Sequence, residues 1–269
     1  GNIFDMTSVA EESRARHAIF VTASDTLIAE NQIYVRGACD PVVTGIRLRE
    51  PAQNVAVHGN LIRNCGWGIE TGRVQSRVKE VIGPTIFRPE VGNLPALRAD
   101  SHLYRGWNLA WLSGAQQGTV SVIVSSDPET SCFELREPCS AVVGDRFEVF
   151  PPEANWNLHS NTITGCLHPV ILGSYGSATS IFARNTLTRG GTAGVKAAVE
   201  VHGTFQAIGN HLSGFDEEGA AAFSLFPDAL GRMCPSVFRD NIATGCTALL
   251  SESHEGLIEA CTAEGNVGG

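Results

Sequence analysis

Charge is scarce in this chain: Asp, Glu, Lys and Arg make up 17% of its 269 residues, and aromatic residues only 7%. Lysine and arginine never gather into a run, and the net charge is −9. Nucleic acid is therefore excluded as a main partner, because phosphate binding needs a dense cationic surface. No apolar stretch approaches the ~20 residues that cross a bilayer as a helix, so no membrane span is expected. The eight cysteines include no C-x-x-C, and the histidines no H-x-x-x-H, so a zinc site built on them is not expected. A phosphate loop, a dinucleotide fingerprint and a G-x-S-x-G elbow are also missing. No charged-then-apolar leader opens the chain, which points to a removed leader or an excised piece.

What is present is a repeat. Glycine is plentiful, at 29 residues, and hydrophobic residues reach 43%, which together fit an ordered chain with many turns. Asparagine recurs in similar surroundings at Asn2, Asn31, Asn60, Asn161, Asn185, Asn210, Asn241 and Asn266. Successive gaps are 29, 29, 101, 24, 25, 31 and 25 residues, so one interval is anomalous and the others cluster. Alternating stretches such as "DTLIAEN", "NVAVHGN" and "TSIFARN" lead into these asparagines. A second apolar strand follows each corner, as in "GIRLRE", "PVILGSY" and "GVKAAVEVHG".

Short strands with fixed corners every ~25 residues predict an all-β, right-handed parallel β-helix, in which each coil pairs with the next at ~4.8 Å. Equivalent side chains then stack. The asparagines are expected to form a ladder that bonds turn backbone left unpaired by the sheets. Cys65, Cys166 and Cys246 each stand five residues after such an asparagine and read as a stack of buried thiols. Cys132 and Cys139 flank a hairpin-like stretch and could pair.

The "GNLIRNCGWGI" and "SNTITGCLHPVI" repeats resemble the pectate-lyase-like β-helix superfamily over most of residues 1–73 and 146–269. The resemblance implies a fold that carries lyases, glycosidases, esterases, epimerases, tailspikes and adhesins, and so leaves the activity open. It also implies, for a lyase, a Lys or Arg base and a cation such as Ca²⁺ on the substrate carboxylate.

The long interval from Asn60 to Asn161 predicts an insertion over residues 74–145. Strand-like runs separated by Gly and Asp-Pro turns read as a small antiparallel β-barrel-like module at about 104–150, after a less regular stretch, 74–103. Trp107, Trp111 and Trp156 there either offer a sugar-stacking surface or fill a small core. Both ends of the sequence fall inside the repeat, so missing capping segments or a homo-oligomer are expected.

Alternation on the strands after each corner selects the outward residues. Arg47, Arg49, Glu70, Arg73, Tyr175, Lys196, Glu200 and His202 are expected to share one stripe across about four coils, flanked by His168. A β-elimination would use Lys196 as base, Arg47, Arg49 and Arg73 as carboxylate holders, and Tyr175 or His202 as proton donor. A hydrolase would need two carboxylates across the scissile bond, for which Glu70, Glu200, Asp216, Glu217 and Glu218 are candidates. The plain alternative for Lys196 and Glu200 is a solvated surface pair. The sequence identifies no cofactor, although the acidic turn at 216–218 could hold Ca²⁺. Ser224 and Asp228 lie in the next coil. The expectation is a polysaccharide lyase or glycoside hydrolase acting outside the cell or at its surface. The alternative is a non-catalytic glycan-binding or structural β-helix, such as a tailspike-like or adhesin segment.

Overall fold

A computed structural model describes residues 1–6, 16–49, 52–72, 74–90, 104–127, 129–152, 154–174, 180–228 and 235–268. Twenty-seven strands and no helix occur among them. Twenty-one strands build a parallel β-solenoid of about eight turns, and six build a closed antiparallel barrel. The expected all-β helix with an inserted barrel-like module is thus the architecture found.

The solenoid has three parallel faces, each of seven strands. Sheet A runs β1 (Ile3–Asp5), β4 (Gln32–Tyr34), β7 (Leu61–Arg63), β16 (Thr162–Thr164), β19 (Thr186–Thr188), β22 (His211–Ser213) and β25 (Ile242–Thr244). Sheet B runs β2 (Arg16–Val21), β5 (Asp40–Arg49), β8 (Cys65–Gly72), β17 (His168–Ser174), β20 (Ala197–Gly203), β23 (Ala221–Phe226) and β26 (Leu250–Glu252). Sheet C runs β3 (Leu27–Ala29), β6 (Ala56–His58), β15 (Asn157–His159), β18 (Ile181–Ala183), β21 (Gln206–Ile208), β24 (Val237–Arg239) and β27 (Thr262–Glu264). Strands of A and C have only three residues, and typically the middle one alone is buried, as at Ile28, Ile33, Val57, Ile62, Phe182 and Leu187. One inward side chain per short strand gives a narrow core, filled by aliphatic residues and by Phe182, Phe205, Phe215, Phe223 and Phe238.

Between sheets C and A the chain turns through a residue in the left-handed region and then an asparagine. The turning residues are Glu30, Gly59, Ser160, Arg184, Gly209, Asp240 and Gly265, with φ between 53° and 65°. The asparagine that follows each one belongs to the ladder. Asn185 shows its logic. Its Oδ1 accepts from both the backbone N–H and the Nδ2 of Asn161, each at 3.0 Å. Its own Nδ2 donates to Asn210 Oδ1 and to the carbonyl of Leu158, again each at 3.0 Å. Both donors and both lone pairs of the amide are therefore used inside the protein. The same link joins all eight asparagines from Asn2 to Asn266. A shorter second ladder lies six residues earlier, where Asn155 donates to Asn54 and Asn54 to Asp25.

Cys65, Cys166 and Cys246 are buried and free. A hydrogen bond with Cys65, together with burial, pushes the Cys166 thiol well above its ordinary pKa, which suits a packed and unreactive group. Cys132 and Cys139 are both free thiols as well, so the disulfide considered for them is not formed.

The barrel is made of β9 (Val74–Val81), β10 (Ile86–Pro89), β11 (Asn108–Trp111), β12 (Val120–Asp127), β13 (Cys132–Leu135) and β14 (Arg146–Phe150), in the closed order β10-β13-β12-β11-β14-β9. It therefore also takes in two strands from the stretch read as irregular. "VQSRVKEV" alternates as a half-buried strand should, and the prolines at 84 and 89 stand beyond its end. The barrel has its own core, separate from that of the solenoid, built on Phe87, Tyr104, Trp107, Trp111, Phe133 and Phe147. Several of these rings meet edge to face at centroid distances of 5.2–6.2 Å. Trp156 belongs to the solenoid core and donates its indole N–H to the Ala52 carbonyl at 2.9 Å.

Candidate functional site

Sheet B has the longest strands of the solenoid, and its register sets the site. One row across it reads Phe20, Arg47, Glu70, Ile171, Glu200, Ser224 and Ser251. The adjacent row, Ile19, Ile46, Ile69, Val170, Val199, Phe223 and Leu250, lies on the core side. Charge therefore collects on the outer face because alternation leaves those positions no place in the core. His17, Thr44, Trp67 and His168 form a second row, and His202 pairs with Gly173 and Phe226 in a third.

Within this face the groups touch. Arg47 Nη2 lies 3.2 Å from Glu70 Oε1. His168 Nδ1 lies 3.0 Å from Glu200 Oε1, and His202 Nε2 lies 3.8 Å from Glu200 Oε2. The His168 ring stacks on Trp67 at 5.6 Å and 13°, and the His202 ring stacks on Phe226 at 4.4 Å and 15°. Each imidazole is thus held by an aromatic plane on one side and a shared carboxylate at its edge. On the neighbouring strands, the Nε–H of Arg47 and the Nδ1 of His17 are buried without a hydrogen-bond partner among the described residues.

The two carboxylates are driven in opposite directions. Burial raises the pKa of Glu70, and Arg47, Arg49 and, when it is protonated, His168 only partly oppose it. Burial would raise Glu200 too, but its hydrogen bonds and attraction to His168 and His202 outweigh that and bring it down to about 2. Ring partners separate the cases: Glu200 bonds His168 at 3.0 Å through one oxygen and has His202 at 3.8 Å from the other, whereas the ion-pair contact of Glu70 is with Arg47 at 3.2 Å. Burial also lowers His17, helped by Arg47 and Arg49, so that imidazole tends to stay neutral.

The Glu200 shift is also a statement about stability. Its folded-state pKa is depressed, so its contribution is present above the ordinary carboxylate value and is lost as pH falls from there toward about 2. The size is on the order of 3 kcal/mol. Denaturant titrations of wild type and Glu200→Gln should diverge above pH 5 and converge near pH 2. Parallel curves at all pH values would show that Glu200 is not held by the imidazoles.

Of the residues expected on the stripe, Arg47, Arg49, Glu70, His168, Glu200 and His202 lie on four consecutive strands of sheet B, β5, β8, β17 and β20. Arg73 and Tyr175 lie outside the described residues. Lys196 stands just before β20, and its Nζ donates to the carbonyl of Glu218 at 2.9 Å. Simple alternation had aligned it with Glu200. That alternation fails because Ala197, Ala198 and Val199 are all buried in succession. Trp107 and Trp111 are 4% and 0% exposed, so they fill the barrel core and offer no sugar platform. The acidic turn is occupied: Arg189 bridges Asp216 and Glu217, and Glu217 accepts the Gly194 N–H. No group of three or more metal-ligating side chains occurs among the described residues. Ser224 bonds Ser251 at 2.7 Å, one strand beyond Glu200, and Asp228 is buried.

The sequence reading missed Trp67. Its signal was its place in "CGWGIE", directly in register with His168, but a lone tryptophan between glycines also reads as corner packing. The chain matches no protein-family model, and comparison with curated proteins likewise finds no match.

Proposed function

We propose that the outer face of sheet B is the active face of a polysaccharide-cleaving enzyme of the pectate-lyase-like superfamily, working outside the cell, and that cleavage is hydrolytic. The observation that carries this reading is the pair Glu70 and Glu200, on one face, with opposed proton affinities. Such a pair divides the acid and base roles between chemically identical groups. Glu70, which keeps its proton more readily, donates it to the leaving glycosidic oxygen. Glu200 at about 2 is too weak a base to act alone. It accepts Nδ1–H from His168, which leaves Nε2 free to take a proton from water. Ile171 separates the two carboxylates in the row, so their strands are two spacings apart, roughly 9–10 Å. The imidazole that serves as base stands on the intervening strand β17, between the strands of the two carboxylates. Arg47 and Arg49 steady the substrate's oxygens beside Glu70.

A non-catalytic glycan-binding role is the second reading, and a specific observation favours it. Trp67 and Phe226 stand on the same face as the charged groups, each stacked on an imidazole, which suits holding a polymer as well as cutting it. Incubation with a panel of neutral and uronate polysaccharides separates the readings. New reducing ends without ultraviolet absorbance support hydrolysis. An unsaturated, absorbing product would replace it with elimination. Retention on a glycan gel with neither product would leave only binding.

A further inference from the structure

On the outer face of sheet A, Gln32 and Tyr34 of β4 stand in register with Leu61 and Arg63 of β7. Ile33 and Ile62 between them are core residues. The three-residue strands thus set four outward side chains around a cavity of about 320 Å³. That is near the lower end for a small-ligand site. Its walls are chemically mixed. The phenol of Tyr34 and the side chain of Leu61 are half-buried. The guanidinium of Arg63 and the amide of Gln32 are exposed and have no partner among the described residues. Asn64 closes one end, its Nδ2 donating to the carbonyls of Val35 and Gly37 at 3.3 and 2.9 Å. Arg36, ion-paired with Asp5, also bonds the Tyr34 hydroxyl and so holds the ring. An aromatic plane already fixed loses little side-chain entropy when a ligand lies on it. From the cavity one row runs on across the face through Arg63, Thr164, Thr188, Ser213 and Thr244. From Tyr34 to Thr244 it covers five strand spacings, about 24 Å, and beyond Arg63 it presents hydroxyls and no charge.

We propose that sheet A carries a second glycan-binding site, with one sugar ring of a neutral polysaccharide in the cavity and the chain continuing along the hydroxyl row. A pyranose has faces of C–H groups and a rim of hydroxyls. Its face fits against Tyr34 and Leu61, which takes apolar surface out of water. Its rim accepts from Arg63, whose planar fork presents several donors at fixed spacing. The Gln32 amide both donates and accepts, and so do the threonine and serine hydroxyls, as a polymer of hydroxyls requires. A polyuronate would bring a carboxylate on every sugar over a row with no cation to meet it, on a chain of net charge −9. A neutral polymer avoids that cost. The site lies on a different sheet from Glu70 and Glu200, so binding there stands independently of the hydrolytic reading of sheet B.

The test uses the whole chain with cellohexaose, xylohexaose, mannohexaose and maltohexaose, and with hexagalacturonate as the acidic comparison. Glu70→Gln is the background, so that cleavage on sheet B does not consume the ligand. Calorimetry should show binding of at least one neutral hexamer, weakened roughly tenfold or more by Y34A and by R63A. Y34F keeps the ring and should bind within about twofold of the background. H168A, altered on sheet B, should leave this binding in place. Circular dichroism checks that each variant is folded, and the exposed Arg63 carries the test if Y34A is not. Failure of every polysaccharide to be cleaved would sink the hydrolytic reading and leave this result unchanged. Unchanged affinity in Y34A and R63A, no binding of any neutral hexamer, or binding of hexagalacturonate alone would overturn the proposal.

Discussion

Replacing Glu70 with glutamine should lower kcat/KM for polysaccharide cleavage by about 10²–10⁴, the span that a positioned general acid supplies. The protein should remain as stable as wild type, or become slightly more so, at neutral pH. Burial raises the pKa of Glu70, so the folded state prefers the protonated form. The stability linked to that proton is complete below the ordinary carboxylate pKa and is lost as pH rises through the folded value. A neutral amide escapes that loss, although it gives up the ion pair with Arg47. Activity of wild type should fall on the alkaline side as Glu70 loses its proton, and the variant's residual activity should lack that limb. A variant that keeps more than a tenth of the activity, with the same pH profile, would remove Glu70 from the acid role.

Asn185→Ala should have the largest effect on stability, a loss of about 3–5 kcal/mol. The change deletes a fully buried amide and strands several partners at once. The backbone N–H and Nδ2 of Asn161 lose their acceptor, and the Leu158 carbonyl and Asn210 Oδ1 lose a donor. Buried polar groups left unpaired cost more than the original bonds contribute. Thr188→Ala, which removes the hydroxyl bonded to Ser213 on the outer side of sheet A, is the control and should cost well under ~1 kcal/mol. Urea unfolding measures both. Because a solenoid is stabilised rung by rung, a reduced denaturant slope for Asn185→Ala would mean that the two halves no longer melt together. A loss no greater than that of Thr188→Ala would show that the ladder carries no weight.

The asparagines were legible because their chemistry admits few substitutes. A corner that must supply two donors and two acceptors to neighbours above and below keeps the same residue, and repetition reveals it. Asp25, Asn54 and Asn155, each six before a ladder asparagine, followed the same rule but over only three coils. Alternation correctly turned Arg47, Glu70 and Glu200 to one face, because Ile46, Ile69 and Val199 are unambiguous core residues on their strands. It misjudged Lys196, since alanine is small enough to be buried on either side of a bend, and the run Ala197–Ala198 hides the change of phase. The tryptophans of the insertion could not be assigned from one sequence, because a stacking platform and a barrel core use the same residue type. Opposed proton affinities at Glu70 and Glu200 were beyond sequence altogether. They depend on which imidazoles reach which oxygen across strands far apart in the chain.

The barrel enters and leaves through partners in one ladder: β9 pairs with β14, and Val74 lies opposite Val149. Its two ends are therefore one strand spacing apart, the same pitch as the rungs it interrupts. Left unfolded, the 101-residue interval between Asn60 and Asn161 would cost about 1 kcal/mol more to close than an ordinary turn of the solenoid. A folded barrel erases most of that difference by delivering its ends pre-aligned, so the stacking of β17 on β8 meets an entropic barrier little higher than that of any other rung.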